Sequence, residues 1–471
     1  MSTSTLEKLE RLFVTMFVIL AVRQAYVQIV MRPSIAARPY NPRHALTAAH
    51  RGRILASDGT VLAQTVNGTR RYSQGASLAH VVGYVSSRYG TSGLEDAYDR
   101  ALTPADTTGG FWAQLSDIAQ AARGKRSAPR GADVITTIVP AIQNELYAQL
   151  SQYSRGAAVV LDPRSGAVLA MTSVPGFDPN ALAADFPRLA HAPQSPLLDR
   201  ALNGLYPPGS TFKIFTASAA LESGSVTMQS TFSDPGYYQI GDFTLHDDEG
   251  EATGVQDLTG AFALSSNVDF GQIAVRMGGA AFYQYVDRWG IGRPLDFQLP
   301  VSRDRVPARS AVLPGELAQM GFGQGALLVT PLRVALLAAT IANGGTEPRP
   351  YIVREVTPPG AAGTTFGPGE LVSPISADTA ANVKNMMVAV VKEGTGTAAR
   401  LPGVIVAGKT GTATNPSGLP HSWFVCFAPA NNPRVAVAVI VENAGYGAAV
   451  AAPIARNVLN LALKAYRGSS S

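Results

Sequence analysis

The feature that most constrains the fold is the order of strand-type and helix-type runs between residues 134 and 441. Strand-like runs stand at both ends, Val134–Ile138, Ala157–Leu161 and Val168–Thr172 first, then Val404–Ala407, Ser422–Ala428 and Val435–Val441. The runs Ala157–Leu161 and Val168–Thr172 are joined by Asp162-Pro163-Arg164-Ser165-Gly166, a turn composition that predicts a hairpin. Between the two groups lie helical patterns over Ser210–Leu221, Gly260–Met277 and Leu332–Ala342, the last stopped by Asn343-Gly344-Gly345. A helix from Pro140 to Tyr153 and a final one from about Ala452 to Lys464 complete the pattern. Such an order argues against alternating βαβ units and predicts an α+β fold, a mostly antiparallel sheet covered by helices.

At 471 residues, 46% apolar and only 15% charged, the chain can bury a large core and does not read as a charged, disordered scaffold. The formal charge is +5, and its basic residues are scattered with no stripe suited to nucleic acid. Cys426 is the only cysteine, so no intramolecular disulfide forms, and its apolar run Trp423–Phe427 reads as buried strand. The six histidines lack zinc-ligand spacing, and neither CxxC nor HExxH occurs. No GxGxxG follows a strand and there is no Walker A sequence, so Gly321–Gly325 reads as a tight turn.

The amino-terminal part is separate in character. Leu12–Met31 is mostly apolar, interrupted by Arg23 and Gln24. As one helix it would cover about 30 Å, the thickness of a hydrocarbon core, so a membrane anchor over 1–31 is the expectation. The arginine is costly there unless it snorkels or finds a partner, and the excess of arginines after the segment runs against a positive-inside orientation. Ile54–Ala63 reads as two short strands about Asp58-Gly59, and Gly93-Leu94-Glu95 opens a helix to about Asp99. The Gly/Arg/Ser/Pro-rich stretch 124–131 marks a boundary, giving units at 32–123 and 124–471.

Three short patterns carry chemistry. In Tyr206-Pro207-Pro208-Gly209-Ser210-Thr211-Phe212-Lys213, the prolines and glycine delay helix until Ser210, and a three-residue spacing puts Ser210 and Lys213 on one helix face. A serine hydroxyl needs a neighbour to take its proton, and a lysine does so once its neutral form is accessible. The second pattern, Ser265-Ser266-Asn267, offers a hydroxyl for proton relay and an amide for a peptide carbonyl. The third, Lys409-Thr410-Gly411-Thr412, sits on an edge strand whose glycine allows close approach and whose polar groups suit a carboxylate. Each alone is weak: a capped helix with a solvent-facing lysine, or a helix junction, explains the first two equally well. Their joint occurrence in this order matches serine penicilloyl enzymes.

With these motifs the chain resembles the class B penicillin-binding proteins, monofunctional D,D-transpeptidases. Arg51-Gly52-Arg53-Ile54 with Asp58-Gly59, Gly93-Leu94-Glu95, Gly321–Gly325 with Thr330-Pro331, Gly394-Thr395-Gly396 and Trp423-Phe424-Val425 extend the resemblance over nearly the whole length. It implies the penicillin-binding transpeptidase fold on an extended pedestal, with Ser210 as acylated nucleophile and Lys213 as its base. Ser265 and Lys409 would assist proton transfer, while Asn267, Thr410, Gly411 and Thr412 bind the donor peptide and its terminal carboxylate. The backbone N–H groups of Ser210 and Thr412 would form the oxyanion hole. Implied ligands are peptidoglycan stem peptides and β-lactams, with no metal or organic cofactor. Implied too are a single-pass anchor with an extracytoplasmic catalytic domain and a polytopic membrane glycosyltransferase as partner. A carboxypeptidase or serine β-lactamase would differ only in admitting water to the acyl-enzyme, and a non-catalytic β-lactam sensor would keep the fold without turnover.

Overall fold

The computed structural model describes residues 13–20, 23, 26, 51–104, 130–247, 250–416 and 418–468. The strands used below are β1 Ile54–Leu55, β2 Val61–Val66, β3 Thr69–Tyr72, β4 Asp133–Thr136, β5 Gly156–Leu161, β6 Val168–Val174, β7 Val353–Thr357, β8 Thr364–Thr365, β9 Ala407–Ala413, β10 His421–Ala428 and β11 Val435–Val441. The helices are α1 Pro140–Leu150, α2 Lys213–Glu222, α3 Leu258–Leu264, α4 Asn267–Arg288, α5 Pro331–Ala342, α6 Ala377–Lys392 and α7 Ala451–Gly468.

The central sheet is five-stranded, in the order β9-β10-β11-β5-β6, with every pairing antiparallel. Strand β11 explains why its sequence, Val-Ala-Val-Ala-Val-Ile-Val, lacks polar alternation: all its residues are buried. Ala436, Ala438 and Ile440 enter the core that holds α5, while Val435, Val437, Val439 and Val441 enter the one beneath α1 and α7. A sheet covered on both faces needs apolar residues at both parities, and β-branched side chains fit that pleated surface. Helix α5 is built for its central position. Thr330 caps its first turn by accepting the N–H of Arg333, Pro331 opens it, and Gly344 leaves it at φ +66°. Cys426 is fully buried in β10, where burial pushes its thiol up.

A second sheet, β8-β7-β4-β1-β2-β3, joins the amino-terminal segment to a strand pair from much later in the chain. Its order rests on the parallel pairing of β1 with β4 and the antiparallel pairing of β4 with β7. Beneath it Glu95 is fully buried and accepts from Arg51 Nε at 2.6 Å and Arg70 Nε at 2.6 Å. Arg51 also reaches Asp99 at 2.6 Å. Gly52 passes so near residue 132 that a Cβ would lie 1.8 Å from the Ala132 carbonyl oxygen. The Arg-Gly-Arg and Gly-Leu-Glu patterns therefore meet in space.

Three expectations require correction. Among the described residues no helix is long and apolar enough to cross a membrane. Arg23 interrupts the apolar run Leu12–Met31, and a charge is costly in hydrocarbon. That finding overturns the anchor helix, and with it the single-pass, extracytoplasmic placement and the grounds for a membrane glycosyltransferase partner. The boundary stretch 124–131 lies mostly outside the described residues. The helix expected over 260–277 is two helices, α3 and α4, parted at Ser265, whose φ of +66° is left-handed. Finally, the expected strand at 404–407 begins only at Ala407 and runs through the lysine motif itself.

Candidate active site

Ser210 lies on the short 3-10 turn Gly209–Phe212, half-buried, and Lys213 follows as the first residue of α2. Two prolines and a glycine at φ +53° prevent regular helix before the serine. The turn is wedged between two backbones. The Gly209 N–H donates to Gly323 O at 2.9 Å, and a Cβ on Gly323 would fall 2.1 Å from the Gly209 carbonyl oxygen. On the other side a Cβ at Gly209 would come within 2.8 Å of the Thr412 carbonyl oxygen, and one at Gly411 within 2.9 Å of Thr211 Cγ2. Glycine is thus required at these positions for the nucleophile turn to lie against β9.

Lys213 and Lys409 are both fully buried. Lys213 Nζ donates to Ser265 O at 2.5 Å, to Asn267 Oδ1 at 2.9 Å and to Ser265 Oγ at 3.3 Å. Lys409 Nζ donates to the same Ser265 Oγ at 2.8 Å and to Thr410 O at 3.3 Å. The two amines sit over aromatic faces, Lys213 above Phe270 at 5.4 Å and Lys409 above Phe262 at 5.5 Å, which offset part of the cost of burying charge. One hydroxyl is therefore shared by two lysines from distant parts of the chain. Its position depends on the left-handed backbone of Ser265, which breaks the α3–α4 run and turns the side chain inward.

All eight residues singled out in the sequence lie in this region. Ser210 and Lys213 stand on the turn and α2; Ser265 and Asn267 at the α3–α4 break; Lys409, Thr410, Gly411 and Thr412 along edge strand β9. Thr410 Oγ1 meets Thr395 Oγ1 at 2.6 Å, and Gln324 Nε2 reaches Thr412 O at 3.5 Å. Thr395 and Gln324 thus support β9 from the Gly-Thr-Gly and Gly-rich segments. Sequence reasoning missed Asp247, which accepts the backbone N–H of Asn267 and that of Val268 at 3.2 Å. Twenty residues upstream in a hairpin region, it carries no sequence signal that would pair it with this motif. Chemically the arrangement offers a hydroxyl nucleophile beside buried amines, with an edge strand open to pair with an extended peptide.

Comparison with known proteins agrees with this geometry. Residues 156–460 match the family profile described as the penicillin binding protein transpeptidase domain, and residues 51–134 match the penicillin binding protein A dimerisation domain. The chain is 35% identical over 500 residues to peptidoglycan D,D-transpeptidase PbpA of Mycobacterium tuberculosis strain H37Rv, covering 98% of this chain and 99% of that protein. The Mycolicibacterium smegmatis PbpA is 34% identical over 498 residues, covering 98% and 99%. Among solved structures, the ceftriaxone acyl-enzyme complex of M. tuberculosis penicillin-binding protein A superposes with a TM-score of 0.81 at 33% identity, covering 89% of this chain and 100% of that one. Matched in both units along almost its whole length, the chain belongs to the class B penicillin-binding proteins and is homologous to mycobacterial PbpA.

Proposed function

We infer that this protein is a serine-type peptidoglycan D,D-transpeptidase that cross-links stem peptides through an acyl-enzyme. The observation that carries the reading is the convergence of Lys213 and Lys409 on the single Ser265 hydroxyl beside the Ser210 turn. Ser210 Oγ attacks the carbonyl of the penultimate D-Ala while the fully buried Lys213 accepts the hydroxyl proton. The backbone N–H groups of Ser210 and Thr412 receive the developing oxyanion. As the C–N bond breaks, the proton passes by way of Ser265 and Lys409 to the leaving amine of the terminal D-Ala. An amine of a second stem peptide then attacks the ester, forming the new peptide bond and returning the proton to Ser210. Asn267 orients the donor peptide, and Thr410, Gly411 and Thr412 on the edge strand hold its carboxylate end. A β-lactam follows the same first step, its ring amide replacing the scissile bond.

Residues 32–123 act as a pedestal and 124–471 as the transpeptidase domain, a division supported by the separate matches to 51–134 and 156–460. Intact-mass spectrometry with penicillin G tests the central assignment. One adduct on Ser210 is expected in the parent and none in Ser210→Ala. An adduct on any other residue, or none on a folded parent, rejects it.

A further inference from the structure

Asp247 follows the strand Phe243–His246, the second half of a hairpin with Tyr237–Ile240. Its carboxyl grips the start of α4: Oδ1 accepts the N–H groups of Asn267 and Val268, the latter at 3.2 Å, and Oδ2 accepts the Ser266 hydroxyl at 3.3 Å. These first-turn N–H groups have no partner within the helix. Ser266 in turn accepts the N–H of Asp269 at 2.9 Å. One carboxyl therefore fixes the backbone on which Ser265 and Asn267 present their side chains to the two lysines.

On its other side Asp247 faces the Asp234 carboxyl, close enough for each to act on the other's charge. Where two carboxyls share a site, like-charge repulsion favours a proton on one of them. Asp234 is buried and is also bonded by the Gly236 N–H at 2.7 Å and the Thr253 hydroxyl at 2.7 Å. Burial works against its charge, yet hydrogen bonds from Asp247, Thr253 and Gly236 outweigh that and hold it below its ordinary value. Burial first, then Asp234, push Asp247 up to about 7. The remaining charged groups facing the pair among the described residues are the Lys213 amine and the buried Asp269, with Lys409 beyond Ser265.

We propose that Asp247 is a positioning residue for acylation: as a protonated bridge it ties the Asp234 carboxylate to the Ser266–Val268 backbone and so holds Ser265 and Asn267 at the two lysines. The inference rests on the acyl-enzyme reading above. Loss of the bridging proton sets two carboxylates against each other, loosens the grip on the α4 start and places an added negative charge near Lys213. Acylation then falls as pH rises past about 7.

The test measures the second-order rate of acylation by a fluorescent penicillin, with melting curves, for the full chain, Asp247→Ala and Asp247→Asn. An asparagine accepts the same N–H groups through its oxygen and donates permanently to Asp234, so it mimics the protonated bridge. Asp247→Ala should be about tenfold slower or worse at every pH. Asp247→Asn should match the parent near about pH 6 and stay fast near about pH 8.5, where the parent slows. The proposal fails if the alanine variant keeps the parental rate and profile. It fails equally if the asparagine variant, folded by its melting curve, is as slow as the alanine one or retains the parental alkaline fall. Should Asp247→Ala not fold, the asparagine profile decides alone. An unacylated parent would sink the acyl-enzyme reading, and this one with it.

Discussion

Asp269 shows how burial dominates a titration. It is fully buried, and among the described residues neither carboxylate oxygen meets a partner at hydrogen-bond geometry. Burial, and then the nearby Asp234 charge, push it up to about 6. Because this folded value lies above the ordinary carboxyl value, the native state holds a proton that the unfolded chain releases. Stability is thus lost as pH rises from about 4 to about 6, by on the order of 3 kcal/mol once complete. Asp269→Asn should raise the melting temperature relative to the parent at neutral pH and give no such gain near pH 4; equal shifts at both would contradict this. The sequence displays an aspartate beside a serine-asparagine motif but not its isolation. That depends on which elements close over it.

At the scale of elements, the decisive feature is the break at Ser265. Apolar periodicity runs straight through from α3 into α4, so pattern reading joins them into one helix. The left-handed φ of Ser265 parts them and brings its hydroxyl to the lysines. Glycine adopts that φ without strain while lacking the hydroxyl. Ser265→Gly should therefore melt within about 1 kcal/mol of the parent yet acylate about 100-fold to 10,000-fold more slowly. A near-parental rate would remove Ser265 from the proton path. The glycines of the nucleophile turn teach the same lesson. Gly321–Gly325 is legible as a tight turn, but the 2.1 Å approach that forbids a side chain at Gly323 involves Gly209, more than a hundred residues away.

Across the whole molecule, the six-stranded sheet binds residues 54–72 and 133–136 to the later strands 353–357 and 364–365. The Arg51–Glu95–Arg70 cluster stands under it as a buried group of charges. Removing the shared carboxylate leaves two buried guanidiniums with less compensation, so Glu95→Ala should cost about 3–5 kcal/mol. Urea unfolding and limited proteolysis would report it, with cleavage concentrated between residues 51 and 104. Unchanged stability would show that the cluster is solvated on demand and structurally idle. Hydropathy at the amino terminus misled at this scale: an apolar run of suitable length is necessary for a span, and Arg23 breaks it.

Residue types and local order determined the α+β class, most strand and helix positions in the central sheet, and the three polar motifs, because turn chemistry and apolar runs act over a few neighbouring residues. Tertiary structure alone decided that one hydroxyl serves two lysines, that Asp247 grips the backbone of the second motif, and that glycines far apart press backbone to backbone. Those contacts join segments separated by more than two hundred positions, as between Gly209 and Thr412. Sequence spacing cannot encode such distances; packing of the folded layers sets them.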